Sequence, residues 1–154
     1  MIVMPANNTK AFSLAERFPG QIGMLMGPGG WRSPKTLPFA LDNGKFSVWS
    51  KGREWDSKTY MKLLRVARDH TKNTTIPIAR WAVVPDSVGD AIETFELWKV
   101  WHQSVSRFGF ACALAVQDGM TPETVSRLRP QPDVIFVGGT TDWTRRTIWK
   151  WCRR

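Results

Sequence analysis

Ala111-Cys-Ala-Leu-Ala-Val116 is an unbroken apolar run that ends in Gln117-Asp118-Gly119, and Thr121-Pro122-Glu123 follows directly. The run is short and shows no polar–apolar alternation, so it reads as a strand buried on both faces, the mark of a parallel sheet. Thr121-Pro122-Glu123 is a helix start, with a capping hydroxyl and a first-turn proline in order. The same pattern recurs. Leu37-Pro-Phe-Ala-Leu41 runs into Asp42-Asn43-Gly44, Trp81-Ala-Val-Val-Pro85 into Asp86 and Asp90, and Asp133-Val-Ile-Phe-Val137 into Gly138-Gly139-Thr140. In parallel α/β folds chemistry collects where strands end. The spacing therefore predicts one site assembled from distant segments.

Outward from these runs, residues 1–20 read as an N-terminal arm with a short helix near Lys10–Arg17, closed by Pro19-Gly20. Residues 21–154 read as one β/α domain. Gln21–Met26 is a first strand, and Gly27-Pro28-Gly29-Gly30 opens a loop that lacks the spacing of a phosphate loop or a dinucleotide fingerprint. A helix capped by Asp56 or Ser57 runs to about Lys72, with Tyr60, Leu63, Leu64 and Ala67 at helical spacing. Asn73-Thr74-Thr75 turns into a third strand, Ile76–Val84. A long helix over Ala91–Phe108 offers Ile92, Phe95, Trp98, Val105 and Phe108 as buried positions, with Gly109 closing it. The last helix starts at Thr141 or Asp142 and carries Trp143, Ile148, Trp149 and Trp151.

Five strand–helix units in steps of about 30 residues imply parallel pairing and right-handed crossovers. A doubly wound sheet and a (β/α)8 TIM-barrel-like fold both fit. A complete barrel takes roughly 200–250 residues, so five units in 154 residues predict an incomplete one. The chain stops within a helical pattern at Trp151-Cys-Arg-Arg154, and the expectation is a longer functional domain or a second chain that completes the barrel.

At 42% apolar residues the chain can bury a sizeable core. No stretch approaches the roughly 20 apolar residues that span a membrane. Met1-Ile-Val-Met-Pro5 lacks the features of a secretory leader, so the expected location is cytoplasmic. Cys112 sits within an apolar run as a small core residue and Cys152 in a basic stretch. No Cys-x-x-Cys or His-x-x-His spacing occurs, so neither a metal nor a cofactor is expected.

Lys and Arg number 22 against 13 acids, a formal charge of +9. Residues 45–72 and 143–154 hold most of the excess. Lys45, Lys51, Arg53, Arg145 and Arg146 read either as solvated faces or as a track for a phosphate backbone. Asp42, Asp86, Asp90 and Asp118 fall instead at strand ends. Asp42 before Asn-Gly shapes a turn in one reading and is a general acid/base in the other. Asp90 reads as a helix cap, and Asp86, nearer its strand, as the ligand contact. Gln117 offers both a donor and an acceptor. Gly138-Gly139 is a tight turn or a place where a ligand meets bare backbone. Trp31, Trp49 and Trp55 lie in or near loops, where one of them could stack on a base or meet a neighbouring domain. His70 and His102 lie in helices as surface or packing residues.

Phe39-Ala-Leu-Asp42-Asn-Gly-Lys-Phe46-Ser47, Val83-Val-Pro-Asp86-Ser-Val-Gly-Asp90, Ala115-Val-Gln117-Asp118-Gly119 and Phe136-Val-Gly138-Gly139-Thr140 occur in an order that resembles the tRNA-guanine transglycosylase superfamily. They look most like its DNA-modifying branch, the 7-deazaguanine DNA transglycosylases of phages and bacterial genomic islands. The resemblance spans about residues 20–145 and implies a (β/α)8 barrel. The implied activity exchanges guanine in DNA, or in tRNA, for a 7-deazaguanine such as preQ0. By resemblance Asp42 is the acid/base aspartate, Asp86 holds the Watson–Crick edge of the base, Gln117 meets its carbonyl, and Gly138 and Gly139 offer backbone contacts. The family's nucleophilic aspartate lies on a later strand than any here, and neither Asp133 nor Asp142 matches its context. The cysteine/histidine zinc site of the tRNA branch also has no counterpart. A non-catalytic nucleic-acid-binding subunit and a β/α protein for small bases are the rival expectations.

Overall fold

Residues 2–6, 10–72 and 79–152 are described by the computed structural model. The expected turn at Asn73-Thr74-Thr75, the start of the third strand at Ile76, and the terminal arginines lie outside them.

Helix α1 (Lys10–Arg17) matches the expected helix of the arm. Strands β1 (Met24–Met26) and β2 (Phe39–Leu41) are shorter than the apolar runs that hold them. A short helix, α2 (Lys45–Trp49), follows Gly44, which takes the left-handed conformation at φ 77°. Helix α3 (Ser57–Lys72) is capped by Asp56, whose carboxylate accepts the Lys58 and Thr59 N–H groups. Strand β3 (Ala79–Val83) leads to α4 (Ala91–Ser106), capped by Asp90 through the Glu93 N–H. Strand β4 (Cys112–Val116) is buried at every residue. Helix α5 (Pro122–Ser126) starts with the expected proline and a reciprocal Thr121–Thr124 capping box. Strand β5 (Val134–Val137) and α6 (Thr141–Cys152) complete the order.

All five strands pair in parallel, in the spatial order β1-β2-β3-β4-β5. A doubly wound sheet reverses its strand order and takes helices on both faces; this sheet does neither. Side chains alternate across it. Met24, Met26, Phe39, Leu41, Leu114 and Val116 share one core with Tyr60, Leu64, Trp98 and Val105 of the helices. Val83, Ala113 and Ala115 form a smaller cluster on the other face with Trp81, Val134 and Phe136, and none of the described helices contributes to it. The result is an all-parallel β/α sheet with its helices on one side.

The arm has a further role that its sequence did not signal. Val3 and Ala6 make parallel bridges to Ile22 and Leu25. The Val3 N–H donates to the Gln21 carbonyl, and the Gly23 N–H donates to the Val3 carbonyl, each at 2.8 Å. The free edge of β1 is thereby occupied.

Ile92, expected in the core, is 78% exposed. The inward stripe of α4 runs instead through Thr94, Trp98 and Val105. Thr94 is held by its hydroxyl, which accepts the Ser87 N–H and donates to the Asp90 carbonyl. Trp98 and Val105 are buried as expected, and Phe95 and Phe108 pack against the core; a buried threonine looks polar in sequence, so Thr94 takes the inward place expected of Ile92.

Candidate functional site

The parallel register brings the C-terminal ends of all five strands to one edge of the sheet. Asp42, Asp86, Gln117, Gly138 and Gly139 all line a cavity of about 360 Å³ there. Val83, Ala115 and Phe136, from the smaller apolar cluster, supply its apolar wall. Phe46 and Arg145 lie at its margin. The volume falls within the range of small-molecule sites, about 300–1,000 Å³.

The centre of the arrangement is Asp86, which is 7% exposed. The Asn43 side-chain amide donates to its Oδ1 at 2.6 Å, and the Gln117 amide donates to its Oδ2 at 2.5 Å. Asn43 also donates to the Val84 carbonyl. Gln117, 1% exposed, uses its own oxygen to accept the Gly89 N–H at 2.9 Å. Two amides, from the ends of the strands on either side of β3, thus fix the orientation of one carboxylate, which keeps further lone pairs for a ligand. Burial pushes the Asp86 carboxyl above its ordinary range, against the lowering influence of Asn43 and Lys45. The nearby Asp42 adds to the rise.

Asp42 stands at the end of β2, where its Oδ1 accepts the Gly44 N–H at 3.3 Å. Burial raises its carboxyl too, and the backbone N–H groups of Gly44 and Asn43 offset part of the rise. Buried acids shifted upward are suited to proton transfer near neutral pH.

The glycine pair is required by packing. A Cβ on Gly138 would stand 3.0 Å from the Gln117 amide nitrogen. A Cβ on Gly139, at φ 81°, would stand 2.6 Å from Asp118 Oδ1 and 2.8 Å from the Trp143 ring. Both backbone groups of Gly138 are engaged within the chain: its N–H donates to the Val116 carbonyl, and its carbonyl accepts the Thr144 hydroxyl. Asp118 ties the loop down by accepting the N–H and hydroxyl of Thr140.

A second cavity of about 710 Å³ lies on the other side of Asp42 and Asn43, which line both. The Gly27–Gly30 loop, Trp31, Arg32, Glu54 and Trp55 surround it. The Trp55 indole N–H donates to the Asn43 carbonyl at 2.8 Å, and the Lys45 ammonium sits 5.3 Å from the centre of that ring. Trp31 packs edge-on against Phe39 and His70.

The basic residues divide. Lys45 and Arg145 border the site, Lys51 and Arg53 follow α2, and Arg146 is exposed on α6. Asp133 and Asp142 stand apart from the cavity linings; Asp133 accepts the Cys112 N–H at the opposite end of β4. Among the described residues no cluster of three His, Cys, Asp or Glu could hold a metal ion, and no helix is long and apolar enough to cross a membrane.

Sequence reading missed Asn43 as a clamp on Asp86. The available signal was an amide directly after a strand-end acid, but its partner lies 43 residues away. Compared with protein-family models, curated proteins and solved structures, the chain matches none.

Proposed function

We propose that this chain binds a guanine-like base in the Asp86 cavity and serves base exchange in nucleic acid, in the manner of the transglycosylases its motifs resemble. The observation that carries the reading is the buried Asp86 carboxylate, oriented by Asn43 and Gln117 within an apolar-walled cavity. The Watson–Crick edge of guanine or a 7-deazaguanine presents an N–H and an exocyclic amine, which a fixed carboxylate accepts well. Asp42, at the same cavity, exchanges a proton with the leaving or entering base. A base must leave its stack to reach such a cavity, and DNA is the polymer the resemblance favours over tRNA. The nucleophile that attacks the sugar would stand on further strands of a completed (β/α)8 barrel. Strand order and one-sided helices support that architecture.

Mixing the protein with DNA carrying labelled guanine and with preQ0 tests the activity; absence of label release across several DNA sequences with a complete barrel overturns it. Calorimetry tests the pocket by itself. Asp86→Asn should weaken preQ0 binding roughly ten- to a hundredfold, because a hydrogen bond to a charged acceptor is replaced by a mismatched amide.

A further inference from the structure

Helix α2 forms the ridge between the two cavities. Phe46 lines the smaller cavity, and Ser47 and Val48 line the larger. Trp49 lines neither, yet it is 55% exposed beside Phe46 at 58%, with ring centroids 5.8 Å apart. Two large aromatics left in water at the rim of a site mark an interaction surface. Their surroundings are cationic. The chain after α2 curls back on it, with the Lys51 and Arg53 N–H groups donating to the Val48 carbonyl and the Gly52 N–H to the Trp49 carbonyl. This sets the exposed Lys51 and Arg53 at the end of the aromatic pair. Glu54 is the acid that follows, within a chain carrying +9 overall.

We propose that the Phe46–Trp49 ridge, with Lys51 and Arg53, is a stacking platform for single-stranded nucleic acid. It would receive an unpaired nucleotide flanking the base held in the Asp86 cavity, and in that sense it rests on the function proposed above. Aromatic faces stack on any base and cations track the backbone, so the platform is indifferent to sequence. Paired bases within a duplex do not offer their faces, so the substrate strand is unpaired where it crosses α2.

The test uses oligo-deoxythymidine, which contains no guanine, and the full chain. Single strands should bind in a salt-dependent manner, and the matching duplex more weakly. Trp49→Ala should weaken single-strand binding about tenfold, whereas Trp49→Phe should retain most of it. Replacing Lys51 and Arg53 by alanine should lower the single-strand salt slope by about 1.4. The Trp49→Ala protein should still bind free preQ0 normally, so loss of preQ0 binding by wild type would indict the base pocket and leave the platform standing. Unchanged oligo-deoxythymidine binding by Trp49→Ala, or equal affinity for duplex, overturns the proposal. So does a Trp49→Ala protein that changes only its oligomeric state in sedimentation.

Discussion

Asp86 and Asp42 show what burial does to single residues. Folded, both hold a proton more tightly than the unfolded chain does, because burial penalises the charged form. Their contribution to stability is therefore fully present below the ordinary aspartate value of 3.8 and is lost as pH rises through their raised values. Urea midpoints measured upward from that value should fall, and Asp86→Asn or Asp42→Asn should flatten the fall. Asp56 has a lowered value and acts in the opposite sense, below 3.8, so its window separates from theirs. Gly139→Ala tests a different constraint, a left-handed backbone pressed against Asp118 and Trp143. It should cost about 1–3 kcal/mol in chemical denaturation. Of the residue-level site, Asp42, Asp86, Gln117 and the glycine pair were legible because strand ends are legible. The clamping role of Asn43 was not, since a hydrogen bond spanning 43 residues leaves no local trace.

Local chemistry decided the elements where it was strong. The Thr121-Pro122 start and the Asp56 and Asp90 caps appear as the sequence suggested, because capping satisfies N–H groups within three residues. Helix α2 was missed. It is one turn long, it starts after a left-handed glycine rather than a capping side chain, and its two aromatic residues are exposed. Propensity alone gives so short a helix little support; its place between two cavities is a tertiary matter. Helix α4 is anchored by Trp98, which is fully buried and donates its indole N–H to the Pro130 carbonyl at 2.9 Å. Trp98→Ala should cost about 3–5 kcal/mol in thermal or urea unfolding. Asp118→Ala removes both tethers on the loop from β5 to α6. Amide exchange at Thr140 should speed up while the β4 amides stay protected.

The whole molecule is an all-parallel sheet covered by helices on one face and carrying an apolar cluster on the other. Parallel sheets are ordinarily covered on both faces, and here the second face opens into the Asp86 cavity. The arm meanwhile pairs with the edge of β1. Val3→Pro removes the donor that bonds Gln21 and should expose that edge, with self-association rising in light scattering. Strand identity, the order of every helix but α2, and parallel pairing followed from the sequence alone. Apolar runs without alternation must be buried on both sides, and helices between them force crossovers. Tertiary structure alone decided the one-sided layering, the pairing of the arm and the amide clamp on Asp86. It also decided the division of the site into two cavities by α2. Each of these depends on contacts between segments far apart in the chain, and periodicity encodes which face of a residue is apolar, not which distant partner it will meet.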